Sequence, residues 1–541
     1  MVTSAAALAV TGLFMPIFTP GRQMPTPHEV WIAIRTDGRA GRGTIADPYD
    51  GSTPAKFDRL MVSFGPNIQI HLGAGVFQTA WNHSWVVKDG WTVRGIGMYS
   101  TTIQIVGSLT GHPGTGASAF VTGYNSGADG AVLQDFTIDC NWSGLANSAD
   151  TGATVRTFTN TSTVTHSPTI LSTNGAFTQL DVGRVISGRG IPANSWIGLV
   201  TSSDSMGISS SAVSNVPIDA NILKDTTMTI AEKNCKVMGA YIYGASNCKY
   251  NHIRLIHGYG TGANSREAFM LGFAASYATG GPYNHDAVNN VMSYCLAEKC
   301  YGNYGNPFAL HGSASDYIHN PNSHNIIRNS KVEFCTAYGE QGPFGFQSWN
   351  GSGRVPLPGS VSPFTPGGVN LADTKDITIR GNCFVDCQTI AYQDTGGFNG
   401  VEVSDNTLVR GWTGVNFVVN PTGFPDKEFH HVKIARNRIG IQRRTLGGAN
   451  YAIIIRNDCE PVIDGNTITY DITGPGNDVF WPFQVLGTKG TIVNNIIGYT
   501  EYVQIGDAGV KNGTPDSRYH LSNNRTPTGR TIVGMADTGG N

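Results

Sequence analysis

Asparagine recurs at a nearly constant spacing in the last third of the chain. It stands at positions 382, 406, 437, 466, 495 and 524, so the steps are 24, 31, 29, 29 and 29 residues. Each lies between two short apolar runs, as in Val401–Val409 and Val432–Ile439. A unit that recurs every ~20–50 residues is typical of a solenoid. Because three short strands and their turns fit in one step, the chain is predicted to wind into stacked coils.

The residue before each of these asparagines supports the same interpretation. It is Gly, Asp, Arg, Gly, Asn and Asn in turn, and most of these types tolerate a left-handed backbone. An inward Asn after such a corner can hydrogen-bond the backbone of the next coil, which satisfies polar groups that burial would leave unpaired. The sequence therefore predicts an interior ladder of asparagine side chains.

This ladder resembles that of the pectate-lyase-like superfamily of right-handed parallel β-helices. Four N-terminal segments are also similar to its opening motifs: Val30–Gly38, Gly43–Tyr49, Ile68–Phe77 and Trp91–Gly97. The resemblance implies an all-β, right-handed, single-stranded parallel β-helix. The superfamily includes polysaccharide lyases, glycoside hydrolases and phage tailspike-like proteins, so it implies a polysaccharide partner but no particular activity.

Composition excludes several other classes of function. The chain has 36 Lys+Arg against 38 Asp+Glu, so it lacks the basic excess of a nucleic-acid binder. It contains no P-loop, GxSxG or HExxH motif. The nine cysteines show no zinc-type spacing, and buried free thiols are predicted. Cys300, Cys335 and Cys387 each lie ten residues after the start of their repeat unit, which predicts one stacked interior column; the starts are Asn290, Asn325 and Ile377.

The sequence divides into four predicted parts. Residues 1–29 are an N-terminal apolar segment, either a truncated export signal or a cap on the fold; its apolar run, Ala5–Phe18, is too short to span a membrane comfortably. Residues 30–150 begin the β-helix and 232–541 form its main part. The Thr/Ser-rich stretch 151–231 is predicted to be an inserted β-domain, because Phe177–Pro192 resembles a module of phage tail and bacterial surface proteins.

A second strand in each middle coil predicts the working face. Four aligned strands carry large apolar side chains at their second and fourth positions: Ala268–Phe273, Pro307–Gly312, Pro343–Ser348 and Thr389–Asp394. Alternation then turns the fifth position outward. His311, Gln347 and Gln393 are therefore predicted to form one exposed polar column in the middle of the helix, covering residues of about 240–400.

The loops beside this column supply the candidate chemistry. The predicted catalytic residues are His311, Glu340, Asp394, Glu267 and Asp316. The predicted substrate-binding residues are Gln347, Gln393, Trp349, Tyr338, Tyr304, Arg266, His285, Asp286 and His319. Aromatic rings can stack on sugars, and amide side chains can both give and accept hydrogen bonds to sugar hydroxyls.

Two chemistries fit these residues. Hydrolysis needs two carboxyl groups about 5–9.5 Å apart, one of them protonated. Elimination from a uronate needs a base such as His311, with Tyr338 and Arg266 beside it, and calcium is then a candidate cofactor. Hydrolysis is slightly favoured, since carboxylates outnumber basic residues around the column. No other cofactor and no metal site is expected.

Two non-enzymatic functions remain open at this level. One is a glycan-binding adhesin or tailspike-like receptor binder, and the other is a purely structural surface β-helix. Tailspike resemblance also raises a homotrimer as a candidate assembly, although no coiled-coil heptads are present to enforce it. All of these functions predict a secreted, cell-surface or virion location.

Overall fold

The computed structural model contains a long parallel β-helix. It describes residues 28–80, 85–107, 117–122, 127–141, 156–163, 169–173, 177, 184–188, 195–210, 226–233, 236–260, 268–276, 285–302, 305–312, 325–339, 368–387, 389–411, 413–417, 429–442, 449–455, 459–472, 479–485, 489–498, 503–505 and 519–525. Each coil contributes strands to three parallel sheets, which we call A, B and C in chain order.

Sheet A precedes the asparagine corner of each coil, and sheet B follows it. The strands of sheet A are His28–Ala33, Ile68–Leu72, Thr92–Arg94, Val132–Asp139, Lys249–Ile256, Val291–Ser293, Lys331–Glu333, Val369–Arg380, Ala391–Ser404, Phe429–Ala435, Pro461–Asp464, Gly490–Val493 and Tyr519–Ser522. Sheet B contains the ends of Val132–Asp139 and Lys249–Ile256 together with Gly75–Thr79, Thr101–Ile105, Leu296–Gly302, Thr336–Gly339, Cys383–Val385, Thr407–Gly411, Arg438–Gln442, Thr467–Asp471 and Ile496–Ile497.

Sheet C closes each coil. It contains the beginnings of Val369–Arg380 and Ala391–Ser404 together with Trp85–Val86, Ala117–Val121, Lys236–Ile242, Ala268–Ala274, Gly305–His311, Thr413–Phe417, Ala449–Ile455, Val479–Val485 and Val503–Ile505. Short strands at corners and edges are Tyr49–Asp50, Ala128–Asp129, Ala245–Ser246, Tyr259–Gly260, Ala287–Val288 and Ile327–Arg328. The inward side chains form one continuous apolar core.

The predicted asparagine ladder is confirmed. Asn466 Oδ1 accepts hydrogen bonds of 3.0 Å from both the backbone N and Nδ2 of Asn437, and Asn495 Oδ1 accepts the same pair from Asn466 at 2.9 Å. Asn466 Nδ2 also donates to the carbonyl of Ile434. Asn437, Asn466 and Asn495 are fully buried, so the ladder satisfies backbone groups inside the solenoid. The predicted right-handed parallel β-helix is therefore the fold observed.

The predicted column of three cysteines was wrong in its register. The structure aligns Asn290 with Ser330, and Ser330 with Ile377. The repeat unit that contains Cys335 therefore starts at Ser330, five residues later than the predicted start at Asn325. Cys335 consequently stands one corner before the others, in line with the asparagine ladder, where its backbone N donates to Asn382 Oδ1. All three thiols are buried and free, as predicted.

A helix covers the N-terminal end of the solenoid. It spans Pro54–Ser63, with Thr53 at the N-cap and Pro54 in the first turn, where a missing N–H costs nothing. Its inward ring, Phe57, packs against Phe77 and Trp85 at 5.1 and 4.9 Å between ring centroids. The helix thus closes the otherwise open end of the core. The apolar segment at the start of the chain lies outside the described residues.

The predicted inserted β-domain is a closed barrel. Its antiparallel strands are Arg156–Thr163, Thr169–Ser172, Arg184–Gly188, Ser195–Ser202, Ser205–Ser210 and Thr226–Lys233. It enters the chain between the sheet B strand that ends at Asp139 and the sheet C strand that begins at Lys236. No helix in the described part of the chain is long and apolar enough to cross a membrane.

Candidate functional site

The two described members of the predicted exposed column, His311 and Gln393, are buried. Gln393 pairs with Leu371 and Phe417, two inward residues, and is 2% exposed. Its direction was predicted wrongly because Tyr392 was assigned inward, whereas Ala391 and Gln393, on either side of it, are the buried residues. Phe308 and Leu310 do point inward as predicted, but the next residue, His311, is fully buried. Neither side chain can therefore touch a polymer on an open face.

Gln393 belongs to a closed polar group at the end of sheet C. Its Nε2 donates to the carbonyl of Gly397 at 3.1 Å, and Gly397 N donates to Asp373 Oδ1 at 3.0 Å. Asp373 is also buried and lies against Gly312, where a Cβ would come within 2.3 Å of the Asp373 Cβ. These contacts tie neighbouring coils together, which is a structural role.

Most of the remaining predicted residues lie outside the described part of the chain. These are Glu267, Glu340, Asp316, Gln347, Trp349, Tyr304, Arg266 and His319. Asp394 lies within the strand Ala391–Ser404, but its side chain is likewise outside the description. Their predicted roles therefore stay predictions.

The other predicted residues are described. His285 Nδ1 lies 2.8 Å from the carbonyl oxygen of Asp286. The Asp286 carboxylate accepts hydrogen bonds from Ile326 N and from Arg328 Nε, so it joins two successive coils. Tyr338 is 43% exposed on sheet B, away from the predicted column on sheet C. Tyr338 is the most exposed of these three residues.

An open site with suitable chemistry lies instead on sheet B. His257 Nδ1 is 2.7 Å from Asp139 Oδ1. Asp139 comes from the strand that runs before the inserted barrel, and His257 follows the next strand in the sheet. Asp139 also accepts hydrogen bonds from Gln104 Nε2 and Asn141 N, each at 2.9 Å. The carboxylate is thus fixed from three sides and fixes the imidazole in turn.

The electrostatics of this pair define the protonation of the ring. Burial opposes ionisation of Asp139, but the hydrogen bonds from His257 and Gln104 outweigh it and hold its pKa below the usual value. An ionised carboxylate only accepts hydrogen bonds, so Nδ1 of His257 must carry the proton. Nε2 of neutral His257 is then left as an acceptor, and the side chain is 35% exposed. A histidine oriented by a carboxylate in this way is suited to act as a general base.

Charged residues of the same coil and of the next coil lie near the pair in the strand register. Arg254 Nε donates to Glu298 Oε1 at 2.7 Å, and the guanidinium lies 5.1 Å from the centre of the Tyr99 ring. Ile256 pairs with Glu298, which places His257 beside Lys299 on the next coil. Lys299 is exposed, and no ion pair to it is found among the residues that the structure describes. His257 and the Lys299 cation therefore stand on adjacent coils at the end of sheet B.

The sequence prediction missed this site for two reasons. Asp139 and His257 are 118 residues apart, with the whole inserted barrel between them, so no local spacing reveals their contact. The sequence analysis also placed the outward column on the strands of sheet C, whereas this pair lies on sheet B. Within the described residues, no group of three or more His, Cys, Asp or Glu is placed to hold a metal ion.

Comparisons with known proteins support only the architecture. No protein-family model and no curated protein sequence matches the chain. The Streptococcus pneumoniae surface adhesin PfbA is 9% identical, with a TM-score of 0.37 over 87% of this chain and 86% of that one. Polygalacturonase from Erwinia carotovora is 10% identical, with a TM-score of 0.41 over 95% and 96%.

A mutant tailspike protein of E. coli bacteriophage HK620, solved in complex with a hexasaccharide, is 11% identical. Its TM-score is 0.43 over 84% of this chain and 63% of that one. These similarities are too weak to carry an argument about function. The strand pairing of the chain itself, with its asparagine ladder and inserted barrel, shows that the protein has the pectate-lyase-like, right-handed parallel β-helix fold.

Proposed function

We propose that the protein is a polysaccharide-degrading enzyme that cleaves an acidic glycan by elimination on sheet B. The observation that supports this most is the His257–Asp139 pair, in which a buried carboxylate orients a part-exposed imidazole. Sheet B is a ridged, open surface along which an extended polymer can lie. Such polymers are met outside cells, so the proposal includes a secreted, cell-surface or virion location.

The residues have distinct roles in this proposal. Nε2 of His257 accepts the proton from the sugar carbon next to the carboxylate of a uronate. The electron pair left on that carbon forms a double bond to the neighbouring carbon as the glycosidic oxygen departs and takes a proton from water. Lys299 stands beside the base, where it offsets the negative charge that develops on the uronate carboxylate.

Elimination fits this site better than hydrolysis. Among the residues that the structure describes, the carboxylates on this part of the sheet are Asp139 and Glu298, and each already has a cationic or hydrogen-bonding partner. Hydrolysis requires one protonated carboxylic acid. The lowered pKa of Asp139 makes that residue unsuited to the role.

The test compares two histidines in similar backbone conformations. His257 and His252 both have positive φ, 54° and 50°, and asparagine tolerates this conformation. His257→Asn is expected to lower kcat on an acidic polysaccharide by about 10²–10⁴-fold, whereas His252→Asn should change it little. Cleavage is followed by the ultraviolet absorbance of the unsaturated product and by reducing-end release, with and without added calcium.

Three outcomes would contradict this proposal. Cleavage without an unsaturated product would indicate a hydrolase. Glycan binding without any cleavage across a broad panel would support the adhesin or tailspike-like alternative. Equal activity of His257→Asn and the unmodified protein would show that the catalytic base lies elsewhere.

A further inference from the structure

A cleft opens on sheet B farther along the solenoid. It has a volume of about 440 Å³ and is lined by residues of three successive strands, Thr407–Gly411, Arg438–Gln442 and Thr467–Asp471. Gly440 forms the middle of its floor and has no side chain to fill it. The neighbouring side chains of Thr469 and Gln442 supply polar groups at its margin. The absence of one side chain thus creates a recess in an otherwise continuous row.

Arg438 gives one end of this cleft a positive charge, and Asp471, which also lines the cleft, lies four residues farther along the strand direction. It is exposed, and it lies between Thr407 and Thr467 on the adjacent coils. No ion pair to Arg438 is found in the described part of the chain. The other cleft arginine, Arg410, differs because its Nε and Nη2 donate to the two carboxylate oxygens of Asp386, each at 2.6 Å. Arg438 therefore retains its full capacity to bind an anion with a forked pair of hydrogen bonds.

The cleft lies on the same sheet as the catalytic candidate, in a row of residues that begins at Arg254, three positions before His257. Arg254, Leu296, Thr336, Cys383, Thr407 and Arg438 pair one after another along sheet B. Five strand spacings of ~4.8 Å place Arg438 about 24 Å from Arg254 along the axis. An extended oligosaccharide of several sugars can span this distance on a straight, parallel-stacked surface.

We propose that the cleft around Arg438 and Gly440 is a binding subsite for an acidic sugar of a long uronate-containing polysaccharide. The Arg438 guanidinium binds the sugar carboxylate, and the ring occupies the space above Gly440, with Thr467 and Thr469 facing its hydroxyls. The inference deepens the proposed function and rests on it for the identity of the polymer, but the cleft and its charge are independent of His257.

Binding measurements in the His257→Asn background test this subsite without interference from cleavage. The probes are long oligomers of galacturonate, mannuronate and glucuronate, with a neutral cello-oligosaccharide as reference, titrated by calorimetry. Arg438→Gln is expected to weaken binding of the best acidic oligomer about tenfold. Gly440→Val should weaken it similarly, because its methyl groups fill the cleft while the charge is unchanged. Short acidic oligomers should bind less tightly than long ones.

Arg525→Gln is the matched control. Arg525 stands in the same row of sheet B, is exposed and lies outside the cleft. Its replacement should leave the affinity unchanged, and thermal unfolding of every variant confirms that the fold is intact. If Arg438→Gln and Gly440→Val bind as well as the parent, or if no acidic oligomer binds at all, the subsite is refuted.

The two proposals fail in different ways. If Arg438→Gln weakens binding and no acidic glycan is ever cleaved, the subsite stands and the elimination chemistry falls. If cleavage depends on His257 while Arg438→Gln leaves affinity and chain-length preference unchanged, the chemistry stands and the subsite falls.

Discussion

Single residues at the corners set the geometry of the coil. The residues that precede the interior ladder all have positive φ, as in Asp405, Arg436 and Asn494 at 58°, 54° and 59°. This conformation turns the chain between sheets A and B and aims the following side chain inward. The corner residue stays outside, so it can be charged without cost to the core. Arg436 and Asp405 use this freedom to form a bidentate pair across two coils.

Loss of one ladder asparagine is expected to destabilise the protein. Asn466→Ala removes the acceptor of Asn437 N and the donor to the Ile434 carbonyl, and both groups stay buried. Leaving such groups unpaired costs about 2–4 kcal/mol in the free energy of unfolding. Urea unfolding measures the change, and Thr491→Ala, on the outer side of sheet A, is the control with an expected change of about 0.5 kcal/mol or less. Equal losses in the two variants would refute the structural role of the ladder.

Two corner glycines are expected to respond differently to asparagine. Gly381 and Gly465 have nearly the same φ, 67° and 65°, which asparagine can adopt. A Cβ at Gly381 would lie 2.7 Å from the Phe334 ring, whereas at Gly465 the nearest atom is 3.6 Å away. Gly381→Asn should therefore cost about 1–3 kcal/mol, and Gly465→Asn should be nearly neutral. Thermal unfolding of both variants checks this, and a larger cost at Gly465 would contradict it.

At this scale the ladder could be predicted, and the site could not. Repetition at almost constant steps identifies the inward asparagines without any knowledge of their contacts. Gln393 was assigned outward because Tyr392 looked like a better core residue than Ala391. The contact between His257 and Asp139 depends on the number of residues in the coil that separates them. That number cannot be read from the sequence, because the inserted barrel lies within the same coil.

The terminal helix is the element in which burial and charge compete most clearly. Asp58 lies on its inner face and accepts hydrogen bonds from Thr79 Oγ1 at 2.6 Å and Trp85 Nε1 at 3.1 Å. Burial nevertheless raises the pKa of Asp58, and these hydrogen bonds compensate only in part. Asp50, next to the helix, is also buried, but Lys56 and Ser52 lower its pKa to about 2.

The two carboxylates therefore predict opposite pH effects. The pKa of Asp58 is raised in the folded state, so its contribution to stability is complete below the unfolded value of about 3.9 and is lost as pH rises through the folded value. As pH rises through the folded pKa of Asp58, the free energy of unfolding of the unmodified protein should fall relative to that of Asp58→Asn. Asp50 contributes above about 3.9 and loses its contribution as pH falls toward its folded value. Urea unfolding of Asp58→Asn and Asp50→Asn at stepped pH tests both, and slopes of equal sign would contradict the assignment.

Element boundaries show where prediction from repeats succeeds. The strand–corner–strand unit around each asparagine was located correctly because its length is nearly constant. The strands of sheet C follow loops of unequal length, so counting from one coil to the next failed there by a residue or more. The start of one repeat unit was placed at Asn325, although the structure places it at Ser330, and this error has the same dependence on loop length.

For the whole molecule, the barrel is an addition to a self-sufficient solenoid. Strand Val132–Asp139 pairs with Lys249–Ile256, and Lys236–Ile242 pairs with both Ala117–Val121 and Ala268–Ala274. These pairings hold the two ends of the insertion without help from the barrel itself. The predicted limits of the insertion, 151–231, are close to the strands that form the barrel.

Removal of the barrel is expected to leave the solenoid folded. Residues 151–233 are replaced by a short Gly/Ser linker, because loops of different length change closure entropy only slowly. Circular dichroism should retain its β-sheet signal, and urea unfolding should remain cooperative. Loss of folding would show that the barrel is required for coil closure. Retained cleavage together with a changed glycan preference would assign the barrel a role in recognition.

The asparagine ladder would allow the solenoid to be lengthened by whole coils. Each rung presents the same donors and acceptors to the rung on either side, so the interior has translational symmetry along the axis. A duplicated segment such as 437–465 would find both of its boundaries already matched, and the solenoid would lengthen by about 4.8 Å. The number of coils can therefore change without disturbing the interior. Each added coil would lengthen the outer surface by about the length of one sugar.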